Sequence, residues 1–214
     1  MEVPKISRGG GGGVHWTRPR GRFGGLFDGY HIGDADGRGM VRAEVQTTGK
    51  SDGGGDIRHW DVAPPPEYFR ELARVSKAQI IWGGNYFDLP PTRCFVVWDK
   101  CQSERFSMAM CEYAWTSFDD NAKLFRCAPQ GTQAEPRIHP TQKPVKLYSW
   151  LLGLYAKPGY KILDTHAGSA SSLVACHRAG LQAWGYELDG VYYELASERL
   201  RRELAQVTMF ETTE

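Results

Sequence analysis

Toward its C-terminal end the chain switches between two periods of apolar and polar residues. The short apolar run Lys161-Ile162-Leu163 ends in an acid, Asp164, and is followed by a turn of small residues, Ala167-Gly168-Ser169-Ala170-Ser171. An amphipathic run resumes, and a second apolar segment, Trp184-Gly185-Tyr186, ends in Glu187. This order predicts strand, loop, helix, strand, which is half of a nucleotide-binding α/β sheet. A charged helix is expected after it, from about Val191 to Val207.

Upstream, Pro64-Pro65-Pro66 lead into a predicted helix over 67–76 whose Tyr68, Phe69, Leu72 and Val75 share one face. Strands are expected over 78–82, 94–98 and 111–116, with Pro90-Pro91 breaking the chain between the first two. Residues 122–138 read as a polar loop carrying Lys123, Arg126 and Arg137. The segment His139-Pro140-Thr141-Gln142-Lys143-Pro144 then opens an amphipathic helix over 145–155.

The first part of the chain lacks either period. Five consecutive glycines, Gly9 to Gly13, and the run Arg18-Pro19-Arg20-Gly21-Arg22 predict a Gly/Arg-rich segment over 1–25 with no packed element, best read as disordered. A basic arm touching phosphate is the other reading. Residues 34–57 form a long polar, glycine-rich loop. The domain proper is expected over 26–214.

Composition narrows the class. At 214 residues with a net charge of +1, the chain is long enough for one real core, and its charge neither demands nor excludes a nucleic-acid partner. Five cysteines without metal-ligand spacing imply reduced thiols, no disulfide framework and no metal site. With no apolar run near the roughly 20 residues of a membrane span, and no signal core, a soluble cytoplasmic protein without a membrane partner is expected.

The turn after Asp164 carries the first functional clue. Gly168 and its small neighbours let a ligand approach the backbone where a helix exposes its free N–H groups. Glu187, roughly 20 residues on, is placed to accept both hydroxyls of a ribose. The full GxGxxG of dinucleotide folds is absent, which favours a nucleoside ligand without phosphates, such as S-adenosyl-L-methionine, over a pyrophosphate. A structural turn with a solvated Glu187 is the alternative.

The His139 segment, the Ile162-Leu163-Asp164 turn and Gly185-Tyr186-Glu187-Leu188-Asp189, in that order, resemble the amino-methyltransferases of DNA, the adenine-N6 and cytosine-N4 enzymes, in the arrangement of their beta group. The stretch from Val75 through Trp82-Gly83-Gly84-Asn85-Tyr86-Phe87, with Val97-Trp98-Asp99-Lys100, resembles the adenine methyltransferases of phages and prophages. The resemblance implies a Rossmann-like α/β fold, a mostly parallel sheet with helices on both faces. It also implies S-adenosyl-L-methionine as cofactor, DNA as partner, a site-specific adenine-N6 enzyme ahead of a cytosine-N4 one, and a bacterial or phage setting of the restriction-modification kind. Asp164, His166, Gly168 and Ser169 match the cofactor loop and Glu187 the ribose-binding acid. His139, Thr141, Gln142 and Lys143 match the segment against the methionine end of the cofactor. Trp82, Asn85 and Tyr86 fall at a strand end facing the pocket, although a core role explains Trp82 equally well. Lys123, Arg126 and Arg137 are the candidates for phosphate contact. A homodimer is open to a small enzyme of this kind.

The family's catalytic motif, Asp-Pro-Pro-Tyr, holds the amine of a flipped base while the tyrosine stacks on it. In full the family's stretch runs Asp-Pro-Pro-Tyr-Gly-Ile-Gly. Here Tyr30-His31-Ile32-Gly33 matches its second half, while Phe27-Asp28-Gly29 stands for Asp-Pro-Pro. Asp28 and Tyr30 are therefore the catalytic candidates. Either Phe27 replaces the acid or Asp28 survives in shifted register, and both readings impair the site. Because Arg20-Gly21-Arg22-Phe23-Gly24-Gly25 cannot supply a buried central strand, the residues before about Leu26 are expected to be a replaced or frameshifted start. A catalytically impaired relative that still binds cofactor or DNA is the rival expectation, and a methyltransferase acting on RNA or protein is the third.

Overall fold

In a computed structural model the described residues are 14–17, as backbone, and 63–105, 109–129 and 136–206. Asp28, Tyr30, the glycine-rich stretch over 34–57 and most of 1–25 lie outside them. The chain divides into two compact units, 51–131 and a second made of 1–50 with 132–214.

The unit over 51–131 begins with α1 (Pro66–Val75), opened by prolines that supply the fixed backbone angle of a first turn. Four strands follow: β2 (Ile80–Trp82), β3 (Phe95–Asp99), β4 (Cys111–Thr116) and β5 (Lys123–Arg126). β4 lies between β2 and β3 and is antiparallel to both, whereas β5 runs parallel to β3 on its far side. Val96 and Trp98 alternate inward on β3, as the period of two requires. Between β2 and β3 a tight 3-10 turn over Gly84–Tyr86 presses on β4. Only glycine fits at its start, because a Cβ at Gly84 would stand 2.5 Å from Trp115 Cβ. β5 corrects the expectation of a loop over 122–138. Lys-Leu-Phe-Arg is too short and too charged to show a period, yet it alternates half-buried and exposed positions as an edge strand does.

The other unit holds β1 (Val14–Thr17), α2 (Val145–Tyr155), β6 (Lys161–Asp164), α3 (Ser171–Arg178), β7 (Gln182–Tyr186) and α4 (Gly190–Leu204). Its sheet is wholly parallel in the order β1-β7-β6. β1 corrects the expectation of no packed element across 1–25: Val-His-Trp-Thr is a run of β-branched and aromatic residues, enough for a strand once β7 offers it a partner. α3 is buried at every position from Ser171 to Cys176, so it is the central helix. Leu173, Val174, Ala183, Tyr193, Ala196 and Leu200 form the core with it. A fully buried leucine such as Leu173 contributes on the order of 1.5–3 kcal/mol. Among the described residues three of the five strand pairs are parallel, and the fold is α/β.

Candidate functional site

β6 and β7 are neighbours in register, with Asp164 opposite Gly185, so the loops that leave them emerge at the same edge of the sheet. Glu187, just past β7, is buried. One carboxylate oxygen accepts the Gly168 N–H at 2.8 Å and the other the Asp189 N–H at 2.9 Å. Burial pushes its carboxyl above the ordinary value, while the backbone N–H groups of Asp189 and Gly168 pull the other way. The Leu188 N–H also turns to this carboxylate, and of its roughly four acceptor sites one remains for a hydroxyl. A ribose fits that chemistry.

Asp164 ends β6 as a brace for the loop. Its carboxylate accepts the His166 N–H at 3.0 Å and the Ser172 hydroxyl. The Ala167 N–H donates to the Tyr186 carbonyl at 2.9 Å, tying loop to neighbouring strand. His166 is exposed, with its Nδ1 3.1 Å from the Thr165 hydroxyl. Ser169 is buried, its hydroxyl 3.0 Å from that of Ser171.

The His139 segment folds onto this loop. Gly168 has φ +52°, and a Cβ there would meet the His139 ring at 3.5 Å. The other side of the imidazole lies edge-on to Tyr192 of α4, with ring centroids 4.2 Å apart. His139 Nδ1 accepts the Thr141 N–H at 3.2 Å, leaving the proton of the neutral ring on Nε2. Burial, helped by Lys143 and Arg137 and opposed by Asp189, pushes its pKa down to about 4. Neutral His139 is thus a packing plate behind Gly168. Gln142 is spent on its own loop: its carbonyl oxygen accepts the Ile138 N–H at 2.9 Å and its NH2 donates to the Pro136 carbonyl at 3.2 Å. Thr141 is exposed and Lys143 half-buried.

His139, Gly168, Ser169 and Glu187 are therefore brought together, with Asp164 and His166 beside them. Sequence reasoning missed Asp189, which caps α4 by accepting the Val191 and Tyr192 N–H groups, along with Tyr192, Ser172 and Arg199. Asp189 carried a readable signal, an acid directly before a helical run; the others carried none. The three cations singled out for phosphate are engaged. Lys123 pairs with Asp120 at 2.9 Å and Arg126 with Asp99 at 3.1 Å, and Arg137 donates to the His139 and Pro140 carbonyls. Trp82 is half-buried in β2, while Asn85 and Tyr86 are exposed in the 3-10 turn.

This geometry coincides with a sequence match. The N6/N4 DNA methylase family model aligns with residues 77–198, more than half of the chain. The chain belongs to the N6/N4 DNA methylase family. Over 64 residues the chain is 38% identical to YubD of Escherichia coli (strain K12), a putative methylase, in a match that spans 30% of the chain and 28% of YubD. Among solved structures it is similar to M1.HpyAVI in complex with SAM, at TM-score 0.46 and 18% identity over 68% of this chain and 92% of that one. It is also similar to the PvuII DNA methyltransferase, a cytosine-N4-specific enzyme, at TM-score 0.45 and 13% identity over 74% of this chain and 76% of that one. Among the described residues no helix is long and apolar enough to cross a membrane, and no group of three or more His, Cys, Asp or Glu is placed to hold a metal.

Proposed function

We propose that this methylase transfers a methyl group from S-adenosyl-L-methionine to an exocyclic amino group of a flipped DNA base, adenine N6 ahead of cytosine N4. The observation that carries the reading is the buried Glu187 carboxylate, which binds the Gly168 N–H while His139 packs on that same glycine. Glu187 holds a ribose hydroxyl. The 167–171 loop lies along the nucleoside, and the 139–143 segment closes the methionine end. When bound, the cofactor supplies an electrophilic sulfonium methyl, and the base nitrogen's lone pair displaces its thioether. The protein's task is to align that nitrogen, free its lone pair from the ring and accept its hydrogens, one of which leaves as a proton to solvent. Asp28 and Tyr30 are assigned to it through the family resemblance, as acceptor for the amine hydrogens and as stacking ring. We read the two units as parts of one domain over 26–214, with DNA as partner and a homodimer as a candidate assembly.

A second reading is favoured by one observation, the replacement of Asp-Pro-Pro by Phe27-Asp28-Gly29. Gly29 loosens the backbone that two prolines would stiffen, which suits a protein that binds cofactor or DNA without turning over. Incubation with tritiated cofactor and mixed genomic DNA, followed by chromatography of the digested nucleosides, separates the readings. Label in N6-methyladenine supports the first and its adenine preference. Cofactor binding by calorimetry with no label in DNA supports the second, and label in RNA or protein but not in DNA overturns both.

A further inference from the structure

We propose that Arg199 is a positioning residue, a latch from α4 that holds the 167–171 loop in its ligand-ready shape; the ligand half of this statement rests on the cofactor reading above. Ala170 is fully buried and sits at φ 59°, ψ 24°, the left-handed region where a side chain is strained. A residue stays there only when its surroundings hold it. No side chain caps the start of α3, which begins at the next residue. The hold comes from either side of Ala170. Arg199 Nη1 donates to the Ser169 carbonyl at 2.9 Å and to the Ser171 hydroxyl at 2.9 Å, and the Ser169 and Ser171 hydroxyls lie 3.0 Å apart. Within the loop, the Ala170 N–H donates to the Ala167 carbonyl at 2.7 Å. A cation at a helix N-terminus runs against the helix dipole. The dipole therefore does not account for the bonds Arg199 makes there, whereas the strained residue that they span does. The same loop presents the Gly168 N–H to Glu187, so releasing Ser169 frees the neighbour that the ribose-binding acid depends on.

Three variants test the latch: Arg199→Met, Arg199→Lys and the pair Ala170→Gly with Arg199→Met. Hydrogen exchange of a 165–172 peptide in the ligand-free protein reads the loop itself. Calorimetry with S-adenosylhomocysteine reads its consequence, and thermal unfolding reports global stability alongside. Arg199→Met is expected to speed exchange of the loop amides and to raise Kd, each about tenfold, with Arg199→Lys in between. Adding Ala170→Gly should bring both back to within about threefold of wild type, because glycine holds this conformation without strain. Exchange and Kd unchanged in Arg199→Met would overturn the latch. So would a loss that Ala170→Gly fails to rescue, which assigns Arg199 to general stability. If Arg199→Met does not fold, the same rescue is read on Arg199→Lys. A wild-type protein that binds no S-adenosylhomocysteine overturns the cofactor reading alone, since the exchange result decides the latch without ligand.

Discussion

Two pairs of carboxylates, one pair in each unit, are held in different ways. In the unit over 51–131, Asp99 and Asp120 face lysine or arginine at the surface, and such exposed pairs are screened and contribute little. In the unit that contains β6 and β7, Glu187 and Asp164 are held instead by backbone N–H groups and a serine hydroxyl. An acid satisfied by directional neutral donors keeps its charge and spare lone pairs for a ligand. An acid satisfied by a cation is already neutralised. By this criterion Glu187, rather than Asp99 or Asp120, is the acid that suits a ligand.

The contrast is most exposed at Glu187. Glu187→Gln replaces one acceptor oxygen by a donor, leaving either the Gly168 or the Asp189 N–H facing an NH2 group. A buried unsatisfied donor costs about 1–3 kcal/mol, and loss of the charged acceptor for the ribose should weaken cofactor binding at least tenfold by calorimetry. Unchanged affinity would place the ligand elsewhere. A comparable loss of stability is expected from Gly84→Ala. Its methyl collides with Trp115, and overpacking of this kind costs about 1–3 kcal/mol, to be read as a lower Tm by tryptophan fluorescence.

His139 gives the comparison a pH axis. Its pKa is depressed in the folded protein to about 4 from an ordinary 6.5. The unfolded chain therefore binds the extra proton first, and stability falls as pH drops from about 6.5 toward 4, by up to about 3 kcal/mol. Glu187 works the other way, since a raised carboxyl pKa costs stability as pH rises above its ordinary value. Urea titrations between pH 4 and 7 should show the acid limb in the wild type and a flatter one in His139→Gln. An identical limb in both would assign it to other groups. The smallest effect belongs to the other unit: Asp120→Asn should leave Tm within experimental error, and a clear drop would contradict the surface-pair reading of that acid.

How much of this was legible depends on the kind of signal involved. α2, β6 and β7 declare themselves through apolar periodicity, and Glu187 through its place at a strand end. β5 and β1 are four residues each and become strands by pairing, so their local pattern carried almost nothing. Ser172, Tyr192 and Arg199 join the site through contacts that span 8, 53 and 30 residues, from Ser172 to Asp164, from Tyr192 to His139 and from Arg199 to Ser169. Spacings of that length have no period to read. The phosphate assignment of Lys123, Arg126 and Arg137 rested on loop position, and position alone did not reveal the acceptors each meets within the protein.

The pairing of β1 with β7 sets an order on synthesis. Val14 is made 169 residues before Ala183, its partner in register. At about 5–20 residues per second, β1 leaves the ribosome roughly 8–35 s before the strand it pairs with exists. β1 and β6 both wait for β7, the last-made strand of the sheet, and the earliest-made strand waits longest.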